Sequence, residues 1–247
     1  MEQRKRPGKD SGLGYYTSWE KTSENGCIYC GQPATTREHV PSKVFLTEPF
    51  PENLPTVPAC FECNNGYSDD EKYIACFLDV LKSSIYTNYT SKNDTTLRLE
   101  KDNRLKNLLA DQIKTSDGKV YFDFDEDRLV RILKKLARGH AGFEFDLVDF
   151  DVDNIKLWYD FTFNISEDAM KEFNGIPETD KAPEIGSRGS ITPFIVQNIE
   201  TEEVLPFIFW NDVQDEQYRY QVLFSEDKDI SVKIVIYEML YCKIDFK

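Results

Sequence analysis

A chain of 247 residues, 40% hydrophobic and 13% aromatic, has the composition of a folded protein and can bury one large core or two modest ones. Its formal net charge of −14 argues against a long, sequence-tolerant coat on nucleic acid, because phosphate contacts come mostly from Lys and Arg. A nuclease stays compatible with that charge, since bound divalent cations and a local basic patch can offset it.

The polar start MEQRKRPGKDSG is followed by no apolar segment, and no apolar run reaches membrane-span length. A cytoplasmic chain with reduced thiols and no membrane partner is therefore expected. Residues 1–20 read as a flexible basic arm carrying Arg4, Lys5, Arg6 and Lys9. From Thr22 to about Tyr86 the chain bears cysteines and turn residues, closing with a helix from Ser68. Ser68-Asp69-Asp70-Glu71 reads as a capping box, and Tyr73, Ile74, Phe77, Leu78 and Leu81 form the helix's apolar stripe. Asn88 to Thr96 is polar and reads as a linker.

Beyond it, Leu97–Ile113 and Glu126–Arg138 have helical periodicity. Strand-like runs occupy Lys119–Phe124, Ile155–Phe163, Ile191–Gln197, Val204–Trp210, Tyr218–Phe224 and Ile230–Tyr237. Alternation of Ile230, Val232, Ile234 and Ile236 predicts a half-buried strand, and Cys242 falls in a terminal one. The expected class is α+β: residues 21–95 as a small cysteine-bearing domain, residues 96–247 as an accessory domain with a mainly antiparallel sheet.

Four of the six cysteines form two C-x-x-C pairs, Cys27/Cys30 and Cys60/Cys63, which together supply the four soft ligands that tetrahedral zinc takes. A redox pair or four unrelated buried thiols are the competing readings. Cys76 and Cys242 read as core. A zinc cross-link would pin both ends of the segment carrying Glu38 and His39, which is too small to hold itself rigid by packing alone.

Cys27-x-x-Cys30, then Glu38-His39-x-Pro41, then Asn53-Leu54, then Cys60-x-x-Cys63-Asn64 resembles the zinc-stapled HNH (ββα-metal) endonucleases, over residues 27–72 or so. The resemblance implies a β-hairpin presenting Glu38 and His39, followed by a helix bearing Asn64. It implies a divalent cation, magnesium or manganese, held by Glu38 and Asn64, with His39 as general base and Asn53 steadying the loop. Products with 5′-phosphate and 3′-hydroxyl ends would follow.

The chemistry of the residues agrees with that picture. A neutral imidazole near its ordinary pKa can take a proton from water, and a hard cation on oxygen ligands offsets charge on the phosphoryl oxygens. Zinc stays on thiolates while magnesium prefers oxygen, so both metals can sit in one small unit.

Arg37 and Lys43 flank the motif and could touch phosphate. Arg128, Arg131, Lys135 and Arg138, spaced to share one helix face, are a second candidate phosphate contact; a plain solvated face is the alternative. His140 reads as a capping or core histidine, and the aromatics of Trp158-Tyr159 and Phe207–Trp210 as core before base-stacking. The expected function is a metal-dependent nuclease acting on nucleic acid, DNA foremost, which would suit restriction or phage defence. The C-terminal part could dimerise or bind a regulatory partner. The alternatives are a non-catalytic zinc-finger module that binds protein or nucleic acid, and a thiol redox protein.

Overall fold

The computed structural model describes residues 26–52, 54–91, 97, 103–117, 119–145, 154–175, 194–197, 204–207, 210–224 and 230–246. The basic arm at residues 1–20, Asn53 and the expected domain boundary at 95/96 lie outside them. β1 (Thr36–His39) pairs antiparallel with β2 (Thr56–Ala59), setting Glu38 opposite Val57 and His39 opposite Thr56. α1 (Phe61–Asn65) starts at Cys60, and α2 (Ser68–Ile85) follows after a two-residue turn. The expected apolar stripe of α2 is buried throughout. Its capping box does not form: Tyr67 is the N-cap, Ser68 Oγ donates to the Asn65 carbonyl at 2.8 Å, and Glu71 is buried instead of folding back.

α3 (Asn103–Gln112) ends where Ile113 begins β3 (Ile113–Ser116), which turns back as β4 (Lys119–Phe122). α4 (Glu126–Phe145) is longer than its pattern suggested. A five-stranded antiparallel sheet follows in the order β5 (Ile155–Phe161), β11 (Leu240–Phe246), β10 (Ile230–Ile236), β9 (Tyr218–Phe224), β8 (Asn211–Gln214). A separate hairpin pairs β6 (Phe194–Gln197) with β7 (Val204–Phe207).

The β10 alternation is overridden by a second covering layer. Val232, Ile234 and Ile236 face α2 and α4, while Val235 packs with Tyr241 and Phe173 from α5 (Glu167–Asn174). With both faces covered the strand is buried almost throughout. Lys233 survives there by donating to the Phe173 and Gly175 carbonyls at the end of α5, at 2.6 and 3.2 Å. Phe45, α2, α4 and the sheet contribute to one continuous apolar cluster. Residues on either side of the expected boundary contribute to this cluster. Among the described residues, no helix is long and apolar enough to cross a membrane.

α4 runs through Gly139 because that glycine is a contact point, not a stop. A Cβ there would meet Tyr29 Oη and Val40 Cγ2, each at 3.1 Å. His140 next to it is completely buried, its ring stacked on Tyr220 at 3.7 Å and its Nε2 2.8 Å from the Tyr218 hydroxyl. Burial pushes its pKa down to about 3. An unfolded histidine takes up its proton near pH ~6.5, whereas the native one waits until about pH 3, so stability falls as pH drops through that window. The slope from this group approaches ~1.4 kcal/mol per pH unit. Urea unfolding at about pH 7 and about pH 5 should show wild type losing roughly 2 kcal/mol more stability than His140→Gln over that interval; parallel losses would contradict it.

Candidate metal centre and active site

Gly26 and Gly31 hold φ of 84° and 72°, which lets the chain curl so that Cys27 N–H donates to the Gln32 carbonyl (2.7 Å) and Gly31 N–H to that of Cys27 (2.8 Å). A Cβ on Gly26 would strike the Gly31 carbonyl oxygen at 2.6 Å. This turn faces the start of α1, where Cys63 N–H donates to Cys60 Sγ at 3.3 Å. The sulfurs of Cys27, Cys30, Cys60 and Cys63 lie within 4.8 Å of one another, with Cys30 and Cys60 3.7 Å apart, so the four could hold a metal ion. Cys76 and Cys242 are buried in the main core, as expected.

The second cysteine pair fixes α1 against β1. Asn64 Nδ2 donates to Thr36 Oγ1 at 2.9 Å and to the Arg37 carbonyl at 3.2 Å, leaving Oδ1 as the side chain's other polar atom. Asn64 thereby sits on the edge of β1 that β2 leaves unpaired.

Strand alternation sends Glu38 and His39 to opposite faces of β1. His39 is partly exposed on the face it shares with Arg37, which is exposed. Burial and the Lys43 ammonium push its pKa below the ordinary histidine value, and Glu38 pulls the other way, so the ring is neutral at physiological pH. Lys43 is exposed, with its ammonium 5.2 Å from the centre of the Phe50 ring.

Glu38, 6% exposed, points inward. Its Oε1 accepts from Lys135 Nζ of α4 at 2.8 Å and lies 3.1 Å from Ser42 Oγ. The same ammonium donates to Glu71 Oε1 of α2 at 2.5 Å and to Ser42 Oγ at 3.1 Å. Ser42's single proton goes to Glu71, 2.5 Å away. Two rings close the cage, with the ammonium 5.9 Å from the centre of Tyr29 and 5.2 Å from that of Tyr67. Burial raises the Glu71 pKa against the lowering pull of Lys135 and Ser42. Burial, with Glu38 and Glu71 adding to it, holds the Tyr29 hydroxyl protonated.

Of the expected basic face of α4 only Lys135 is taken inside the molecule; the Arg131 and Arg128 side chains stay 54% and 41% exposed. Lys135 is 3% exposed and touches no solvent-facing phosphate path, which corrects its assignment as a nucleic-acid contact. Arg131 pairs with Asp70 at 2.8 Å and donates to the Gly66 carbonyl at 3.1 Å. Arg128 reaches Asp125 at 3.3 Å and Asp70 at 3.5 Å. Arg138 is half-buried, where burial lowers its pKa against the opposing charge of Cys27, Tyr67 and Cys30. The stripe is the seam between α4 and the cysteine-bearing half.

Glu71, Ser42, Tyr29 and Tyr67 were absent from the sequence candidates. A signal was present: Glu71 shares a stripe with Ile74 and Leu78, and Lys135 with Ile132, so each helix places one charge, of opposite sign, on its apolar face. The aromatics of the sheet pack: Trp210 stacks on Phe173 at 5.6 Å, and Tyr159 donates to Glu126 at 2.5 Å. A cleft of about 200 Å3 near β8 and β9 is lined by Asp212, Asp215, Glu216 and the paired Arg219 and Glu238, an acidic setting on balance.

No known family profile matches the chain, and no solved structure matches it. It is 26% identical over 146 residues to the serine/threonine-protein kinase MEC1 of Eremothecium gossypii, an overlap of 57% of this chain but 6% of that protein. The four-sulfur geometry gives a direct expectation. Elemental analysis should find about one metal ion per purified chain, and Cys63→Ser should lose it with a lower melting temperature. A metal-free wild type of unchanged stability would contradict the site.

Proposed function

We propose that the protein is a metal-dependent endonuclease of the HNH type, hydrolysing phosphodiester bonds of nucleic acid, with DNA as the foremost substrate. The observation that carries this reading is the join between α1 and β1: the four-cysteine cluster places Asn64 on the strand edge beside Arg37, two residues before His39. Glu38 and His39 are the next two residues of the strand after the Arg37 carbonyl that Asn64 binds.

Zinc is the metal assigned to the cysteines. Tetrahedral zinc with ~2.3 Å bonds has sulfur–sulfur edges of about 3.8 Å, which the 3.7 Å separation of Cys30 and Cys60 supports. Glu38 through Oε2 and Asn64 through Oδ1 are assigned a hard divalent cation, magnesium or manganese, which would offset charge on the phosphoryl and leaving oxygens. His39, neutral on the outer face, is assigned the proton of the attacking water. Arg37 and Lys43 lie on or beside that face and are assigned the substrate phosphates. A role in restriction or phage defence, and a dimer or regulatory partner bound through the C-terminal part, are extensions of this reading.

A kinase reading gains nothing from the residues, since the chain contains no Gly-x-Gly-x-x-Gly loop and neither a His-Arg-Asp nor an Asp-Phe-Gly triplet. One observation favours a non-catalytic zinc module: Glu38 Oε1 is already committed to Lys135. Plasmid nicking separates the two readings. With Mg2+ or Mn2+ the wild type should nick DNA, and His39→Ala should lose about a hundredfold or more while keeping its metal content and melting curve. Equal behaviour of the two proteins across DNA and RNA substrates would give the function to the binding module.

A further inference from the structure

We propose that Lys135 is a positioning residue of the nuclease site, acting through Glu38. It rests on the nuclease reading above and adds to it a residue from outside the cysteine-bearing segment. The Lys135 side chain is 1% exposed, so it meets neither substrate nor bulk water. Among the described residues its three hydrogen-bond partners are side-chain oxygens: Glu38 Oε1 from β1, Ser42 Oγ just after that strand, and Glu71 Oε1 from α2. One ammonium therefore ties three separate elements, β1, the segment after it and α2, to a single point on α4.

The consequence for the site is directional. A carboxylate that binds a cation with one oxygen is oriented by what holds the other. Here Oε1 is the held atom, which leaves Oε2 as the oxygen with a choice of partner, and the clamp decides where that oxygen faces. Glu71 is required in this arrangement as the second anchor that keeps Lys135 from following the Glu38 side chain. Gly139 sits one helical turn further on, where the Tyr29 hydroxyl and Val40 come within 3.1 Å of its would-be Cβ, so the α4 backbone lies close against the residue that follows β1. A buried lysine with no path to solvent, spanning two carboxylates, fixes geometry; a phosphate contact would need the opposite exposure.

The experiment uses the full-length metal-loaded protein in steady-state plasmid nicking with Mn2+, comparing wild type, Lys135→Met, Lys135→Arg, Glu71→Gln and the exposed neighbour Lys134→Met. Lys135→Met should lower kcat at least tenfold with KM within about threefold, keeping metal content and a cooperative melt, and Lys135→Arg should restore part of kcat. Lys134→Met should match wild type. If Lys135→Met raises KM and leaves kcat alone, the residue is a phosphate contact and the proposal falls. Wild-type kinetics in Lys135→Met also overturn it, while the nuclease reading stands if His39→Ala is dead. Should Lys135→Met not fold, Glu71→Gln decides: a fall in kcat alone supports the clamp, and unchanged kcat overturns it. An inactive wild type, or active His39→Ala, removes both readings together.

Discussion

The ammonium of Lys135 is the constraint on which the candidate site depends. Taken out of water, it is met by two carboxylates, a hydroxyl and two ring faces. Removing one partner of such a group leaves charge buried without a match, typically at a cost of about 3–5 kcal/mol. The pair is therefore better understood as fixing position than as adding stability, since an apolar set of equal volume could stabilise the fold as well.

Two cross-links act on β1 from different directions. The cysteine cluster seats α1 on the strand's open edge through Asn64, and the Lys135 cage draws the Glu38 side towards α2 and α4. Neither cross-link does the other's task. The sulfurs set where the strand lies, and the ammonium sets which way one carboxylate on it faces. Charge is distributed accordingly: in a chain of net charge −14, four positive side chains of α4 are turned towards Asp70, Glu71, Glu38 and the thiols. Arg37 and Lys43 remain exposed beside the candidate site, and Arg131 stays exposed where it reaches Gly66.

The sequence made the cysteine cluster legible because two C-x-x-C pairs are a local pattern with one geometric consequence. The α+β class and the antiparallel sheet were legible too, and the Tyr218–Phe224 run matches β9 end to end. Local pattern failed where a distant element decided the outcome. β10 lost its alternation to α5, Ser68 lost its capping partner when Glu71 was pulled to Lys135, and Gly139 continued a helix because Val40 and Tyr29 pack on it. The side-by-side Glu38 and His39 suggested one shared focus, yet on a strand neighbours diverge. The basic face of α4 was legible as a face, but nothing in its spacing tells that Lys135 alone is buried, against Glu38 and Glu71, while Arg131 stays exposed.

The most direct measurement is an anomalous-difference map from crystals grown with manganese, collected at the zinc and manganese edges. The account expects a zinc peak enclosed by Cys27, Cys30, Cys60 and Cys63, and a manganese peak touching Glu38 Oε2 and Asn64 Oδ1 while Lys135 stays on Oε1. Manganese found only at exposed acids, with no density between Glu38 and Asn64, would contradict it.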